Sequence, residues 1–336
     1  MASPTARALA AANAAKAWAE GPAGTRLKQG FNIALSVLIL ALLVRAIARV
    51  GLDEVIAVLP TTPLFWILWT AHYLLPPVTE WIIYRRWWPM SWRGLGVFVK
   101  MRVMNDALFS YSGHTYLLVW ASNLLGIRFD PANPPERLLG RGGGDGVDPA
   151  TNPFAAVKDN AFTSGLAGNF STLLWLLLAL GLGGSGLLGA DSAIDSRALR
   201  GLLIGFGALI LLSLGIIAFR ERLMSLPVVE NMRAFWWHLL RVNLTHLLQI
   251  GTWIVALPMI PVATWLLLGA LRMVIGRMPV PNKEVLFAAL AAQLAGEASI
   301  QVAALMAAQG VLHLLFHGLA WVGASAIEPK AARKPD

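Results

Sequence analysis

The chain has 336 residues, a formal net charge of +9, and a composition that is 57% hydrophobic and only 13% charged. A soluble domain carries roughly 25% charged residues, so this balance, with a mean hydropathy of +0.63, excludes an ordinary soluble enzyme, a disordered chain and a fibrous one. At roughly 20 residues per crossing it predicts an all-α fold, a polytopic integral membrane helical bundle with about eight spans plus a re-entrant hairpin. There is no cysteine, hence no disulfide, thiolate metal site or cysteine nucleophile. Lys and Arg cluster between apolar runs, which points to loops facing anionic lipid and not to nucleic acid.

Residues 1–30 read as a cytoplasmic, Ala-rich segment carrying Arg7, Lys16, Arg26 and Lys28 against Glu20. A transmembrane domain follows over 31–327, then a cytoplasmic tail over 328–336. Phe31–Val50 predicts the first span; it is longer than the apolar region of a cleavable signal. Arg45 and Arg49 snorkel from its far end, and the loop with Asp53 and Glu54 lies outside. Pro63–Tyr84 predicts the second span, interrupted by Pro76-Pro77, where the missing N–H groups kink the helix; Glu80 lies just beyond. Arg85, Arg86, Arg93, Lys100 and Arg102 follow without an acid, the strongest positive-inside signal in the chain. Trp81, Trp87, Trp88 and Trp92 fit an aromatic interface belt.

Val97–Ile127 holds Arg102, Asn105, Asp106 and His114 and is too polar for one clean span. It predicts a re-entrant hairpin broken at Ser112-Gly113, with two crossings as the alternative. Irregular backbone at membrane depth needs protein or water around it. Residues 128–160 form a polar loop rich in Gly and Pro. Its Gly142-Gly143-Gly144 run lacks the Lys-Ser/Thr of a phosphate loop and reads as a linker. Ala161–Ala190 and Gly201–Phe219 predict two more spans. Residues 220–241, with Arg220, Arg222, Arg233 and Arg241, are an inside loop. Ala234–Gly276 predicts two spans that turn at Pro258 and Pro261. The last two run from Lys283 to Ala308 and from Gln309 to Ile327. This arrangement puts every basic loop and both termini in the cytoplasm, with the protein in the inner (plasma) membrane. The Pro/Gly-broken segment at 105–114 has an echo at 279–300, with Pro279, Pro281, Gly296 and Glu297. Paired broken segments point to a transporter-type binding site.

Ionisable groups within apolar segments are costly, and function is a common reason to keep them. The candidate substrate-binding residues are Glu80, Arg102, Asp106, His114, Arg272 and Glu297. Arg102 and Arg272 suit a phosphate; the three acids suit a basic headgroup or a proton relay. Against this, both Arg side chains can snorkel to the interface, and Glu297, on an Ala-rich helix, can make an interhelix hydrogen bond. His313 and His317 lie four apart on one helix face. The spacing suits a metal, but it lacks the Glu of H-E-x-x-H and no third ligand is evident, so a packing role is expected and no metal or cofactor is predicted. No nucleotide or hydrolase motif is present and no catalytic residue is assigned. His114 and Asp106 are the only clustered candidates for a membrane-embedded transferase, and a transporter-like role is expected ahead of an enzyme.

The layout resembles the transmembrane, flippase-like family of lysylphosphatidylglycerol synthetases, over roughly residues 31–327. Asn105–Arg128 sits where that family has its first Gly-Glu motif, reading Gly113-His114 here. Val157-Lys158-Asp159 resembles the basic-x-Asp start of the following span, and Met278-Pro279-Val280-Pro281 to Glu284 the late Pro-to-Glu motif. The aminoacyl-transferase domain that some members append is absent from this sequence. The resemblance implies binding, and translocation between leaflets, of a lipid or lipid-linked substrate. The alternative function is a non-catalytic membrane subunit that scaffolds a lipid or glycan synthesis complex, with a membrane enzyme as partner.

Overall fold

The computed structural model describes residues 59–108, 111–126, 148–181, 196–277 and 298–328, with scattered positions within 30–56 and 287–295. The described residues are helical, with no strand among them. Most of the first predicted span, the triple-glycine linker, Met278–Glu284, Glu297 and the tail beyond Glu328 lie outside them. The expected all-α class therefore holds.

Helix α1 runs Pro63–Tyr84. Thr62 before it is extended and Pro63 takes the first helical position, where its missing N–H costs nothing. The expected interruption at Pro76-Pro77 does not occur: both prolines lie inside one continuous helix. A short 3₁₀ turn, Trp92–Gly94, leads into α2, Leu95–Ala107, and α3 runs Ser112–Leu124. These two 13-residue helices, each about 20 Å long, pack on each other.

The break between them begins earlier than the expected Ser112-Gly113. The backbone leaves the helix at Leu108, Tyr111 takes a left-handed φ of 73°, and Ser112-Gly113 already open α3. The glycine serves the helix contact, not the turn. A Cβ at Gly113 would stand 2.0 Å from the Met101 carbonyl oxygen. Neighbouring polar groups pin the approach: Ser112 Oγ donates to the Met104 carbonyl at 2.7 Å, and the Gly113 N–H donates to Asn105 Oδ1 at 2.8 Å.

Helix α4, Pro153–Gly181, begins eight residues before the expected 161. Asn152 caps it, its Oδ1 accepting the Ala155 N–H at 2.9 Å, and Pro153 again takes the first turn. Helix α5 is Ser196–Ala218, α6 the short Arg220–Leu223, α7 Val228–Ala256 and α8 Val262–Arg277. The turn between α7 and α8 holds Pro258 and Pro261, as expected. Helix α9, Ser299–Ile327, crosses the predicted boundary at 308/309 without a break. Gln309 begins no new span. It is buried, and its Oε1 accepts from Trp253 Nε1 at 2.8 Å and Gln249 Nε2 at 3.2 Å.

Side-chain contacts fix the directions. Helix α1 is antiparallel to α7, with His72 against Thr245, Glu80 against Arg241 and Trp87 beyond its end against Glu230. Helix α2 is antiparallel to α9: Gly96 lies on Ala324, and Asp106 on His313 and His317. Helix α4 runs parallel to α7, Asn160 meeting His238 and Trp175 meeting Asn243.

One end of the bundle thus collects the end of α1, the starts of α2, α4 and α7, and the end of α9. Arg85, Arg86, Arg93, Arg220, Arg222 and Arg233 are at this end. Three charges set into this end, Lys100, Lys158 and Asp159, are tied to neighbouring groups. Lys100 donates to Glu328, and Asp159 Oδ2 accepts the backbone N–H groups of Ser225 and Leu226 at 2.7 Å each. Lys158 Nζ donates to the Leu223 carbonyl at 2.6 Å and to Ser225 Oγ at 2.7 Å. The expectation that the helix begins after Lys158-Asp159 fails for this reason: both charges grip the loop before α7.

Trp253, Trp265 and Phe287 centre one apolar core; Tyr84, Trp88 and Phe98 centre another. Large apolar side chains also face outward, such as Leu211 at 71% exposure and Ile300 at 80%. Among the described residues, two helical stretches, Pro153–Ala179 and Ser299–Ile327, are long and apolar enough to cross a membrane.

Candidate functional site

The site starts from a backbone vacancy that the prolines create. A helical N–H bonds the carbonyl four residues back, and proline has none. Pro76 and Pro77 therefore leave the carbonyls of His72 and Tyr73 without their usual intrahelical donors. Arg102, on the antiparallel α2, donates Nη1 to the Tyr73 carbonyl. Its guanidinium also lies over the Tyr73 ring, 4.4 Å from the centroid, and its Nε stands 3.5 Å from Asp106 Oδ2 one turn on. Pro77 thus frees a main-chain oxygen of α1, that of Tyr73, to accept from a neighbouring helix. This is how a helix keeps internal prolines when surrounded by other helices.

One turn beyond the prolines, Glu80 is buried. Its Oε2 accepts from Asn160 Nδ2 at 2.8 Å and its Oε1 from Arg241 Nη1 at 3.2 Å. Arg241 Nη2 donates to Ser164 Oγ at 2.8 Å. The buried His238 ring donates Nε2–H to Asn160 Oδ1 at 2.8 Å, so His238, Asn160 and Glu80 form one hydrogen-bonded chain across α7, α4 and α1. Asn105 holds the fourth side. Its Oδ1 accepts from Gly113, and its Nδ2 donates to His114 Nδ1 at 3.3 Å.

These groups line a half-open cavity of about 270 Å³, with Glu80, Arg102, Asp106, His114, Ser164 and Arg241 in its wall. It holds two guanidinium groups and two carboxylates, so its fixed charge balances. The helices α1, α2, α3, α4 and α7 all contribute to its wall. Arg–carboxylate pairs of this kind exchange partners with an incoming phosphate or ammonium group without leaving a buried charge unpaired.

Four sequence candidates, Glu80, Arg102, Asp106 and His114, are therefore neighbours around one cavity. Arg272 is not among them: its guanidinium lies over the Phe287 ring, 5.3 Å from the centroid, beside the tryptophan core. Its place on α8 puts it against a different core from α2. Glu297 lies outside the described residues.

Arg241, Ser164, Asn160 and His238 were missed as site residues. Arg241 reads in the sequence as part of a basic loop, yet it lies thirteen residues into α7. A signal existed. His238, Arg241, Thr245, Gln249 and Thr252 recur at three- and four-residue spacing, a polar stripe on one helix face.

The expectation that His313 and His317 lack a third ligand also fails. Asp106, 207 positions away from the nearer of them in sequence, is brought beside both by the antiparallel packing of α2 on α9, and the three ligand atoms lie within 4.8 Å of one another. No family model, no curated protein and no solved structure matches the chain.

Proposed function

We propose that the chain is a polytopic membrane bundle whose central cavity binds the headgroup of a phospholipid or lipid-linked substrate and carries or presents it between leaflets. The carrying observation is a charge-balanced cavity, with Arg102 and Arg241 set against Glu80 and Asp106, inside a chain this apolar. A headgroup bearing both a phosphate and an ammonium group fits this pairing: phosphate to the guanidinium groups, ammonium to the carboxylates. At about 270 Å³ the cavity lies just below the roughly 300–1,000 Å³ of most ligand pockets. It has room for a headgroup and not for acyl chains, which would stay in the bilayer.

Orientation follows from charge. The end carrying Arg85, Arg86, Arg93, Arg220, Arg222 and Arg233 faces the cytoplasm. In that frame α2 and α3 enter from the cytoplasmic end and return to it, a re-entrant hairpin whose polar side chains line the cavity. A broken helical hairpin lining a polar cavity is a feature of transporter binding sites.

Lipid retention by the detergent-purified protein tests the reading. After incubation with phosphatidylethanolamine and removal of free lipid, wild type should retain about one lipid per chain, while Arg102→Ala should bind at least about tenfold more weakly. That factor corresponds to one charge-assisted hydrogen bond. Equal retention by the two proteins would overturn the assignment.

A further inference from the structure

We infer that Asp106, His313 and His317 form a binding site for a divalent first-row transition metal of the Zn²⁺ type, held between α2 and α9. The inference does not require the lipid reading. His313 and His317 are one turn apart on α9, so their rings stand on the same face with centroids 4.3 Å apart. Asp106, in the last turn of α2, reaches both. Its Oδ2 is 3.5 Å from His313 Nε2 and 3.5 Å from His317 Nε2. Two donors bound to one tetrahedral ion at 2.0–2.1 Å stand about 3.3–3.4 Å apart. The carboxylate–imidazole spacings are therefore close to those a bound ion imposes.

Two further features favour an ion over a plain ionic cluster. His317 is buried, with 2% of its side chain exposed, and its Nε2 has no hydrogen-bond partner. An unsatisfied ring nitrogen in that position is costly unless something is bound there. Its other nitrogen, Nδ1, is 2.7 Å from Tyr73 Oη. If Nδ1 carries the proton and donates it to Tyr73, Nε2 presents its lone pair to the metal, the arrangement by which an outer partner fixes a ligating histidine. Arg102 Nε, 3.5 Å from the same Asp106 oxygen, can hold the carboxylate from the other side.

The donor set selects the ion. Two imidazoles and one carboxylate suit Zn²⁺ or Fe²⁺ and not the all-oxygen shells of Mg²⁺ or Ca²⁺. Three protein ligands leave at least one position of a tetrahedral ion for water or an anionic oxygen. Asp106 also lines the central cavity, so a phosphate there can reach that position; with the ion bound, Glu80 is the cavity carboxylate left for an ammonium group.

The test is metal binding by the full-length, tag-free protein in detergent after chelator treatment. Zn²⁺ is titrated in competition with a chromophoric chelator, and Co²⁺ serves as a spectroscopic probe. Wild type should bind one equivalent and give the intense visible absorption of tetrahedral Co²⁺. His313→Ala and Asp106→Asn should abolish both signals. Tyr73→Phe, which keeps all three ligands, should weaken binding by about 10–100-fold, the usual cost of losing an outer partner. Glu221→Gln, on the exposed α6 and outside both the cluster and the cavity, should bind as wild type does. Elution as a single sharp species shows that each variant is folded, and His313, half-buried, tolerates truncation best. No stoichiometric binding by wild type, or binding that survives His313→Ala combined with Asp106→Asn, would overturn the site. Loss of lipid retention with intact Zn²⁺ binding would instead overturn only the headgroup reading.

Discussion

At the scale of single residues, identical sequence signals have different physical meanings. Gly113 and Gly168 are both glycines inside helical segments. A Cβ on Gly113 meets a main-chain oxygen at 2.0 Å; on Gly168 it meets the tip of the Arg277 side chain, Nη2, at 1.6 Å. Backbone cannot step aside, whereas a guanidinium on a long stem can. Gly113→Ala is therefore expected to destabilise by at least the roughly 1–3 kcal/mol of an overpacked core, and Gly168→Ala by under about 1 kcal/mol; thermal unfolding in detergent compares them. Pro77 gives a balanced case. Alanine there gains up to about 3 kcal/mol of helix propensity but returns an N–H to the Tyr73 carbonyl, the acceptor that Arg102 uses. A hydrogen bond from a charged donor is worth about 1.5–3 kcal/mol, so the terms nearly cancel. Pro77→Ala should leave the unfolding temperature almost unchanged while lipid retention falls. A variant that both unfolds at wild-type temperature and retains lipid normally would show that Arg102 does not need this acceptor.

At the scale of elements, legibility depended on whether a boundary was local or tertiary. The ends of helix α1 could be read because its start is written in Thr62-Pro63 and its stop in the run of Arg and Trp that follows, whereas its continuity through Pro76-Pro77 could not. The turn between α7 and α8 was legible through Pro258 and Pro261. The start of α4 was not, because Lys158 and Asp159 look like loop charges until the loop over Leu223–Leu226 is seen to satisfy them. The continuity of α9 was hidden for the same reason: Gln309, a polar residue in an apolar run, reads as the start of a new span, but it is an interior hydrogen-bond acceptor for α7. The chain offers a direct check, since it contains no cysteine. A single cysteine at Gln309 should resist a membrane-impermeant maleimide in intact vesicles and label only after denaturation. Rapid labelling of folded protein would restore a boundary at 308/309.

At the scale of the whole molecule, the account joins three facts: outward apolar faces, one end rich in arginine, and a charge-balanced cavity reached by five helices. The sequence made the first two legible through hydropathy and charge, which are averages over segments. The cavity was half legible. Glu80, Arg102, Asp106 and His114 stand out because charge is rare in this chain, and Arg241 is marked only by the polar stripe on α7, whereas the His313–His317–Asp106 cluster emerges only when α2 is laid antiparallel on α9. The central claim is that this cavity carries a lipid headgroup across the bilayer. Its most direct test is leaflet exchange of a fluorescent phosphatidylethanolamine in proteoliposomes of the purified protein, read with a membrane-impermeant chemical quencher added outside. The account predicts quenching beyond the outer leaflet's share, above that of protein-free vesicles, and its reduction to the protein-free level in Arg102→Ala. Quenching in wild-type proteoliposomes that stops at the outer leaflet's share, or that is unchanged by Arg102→Ala, would contradict it.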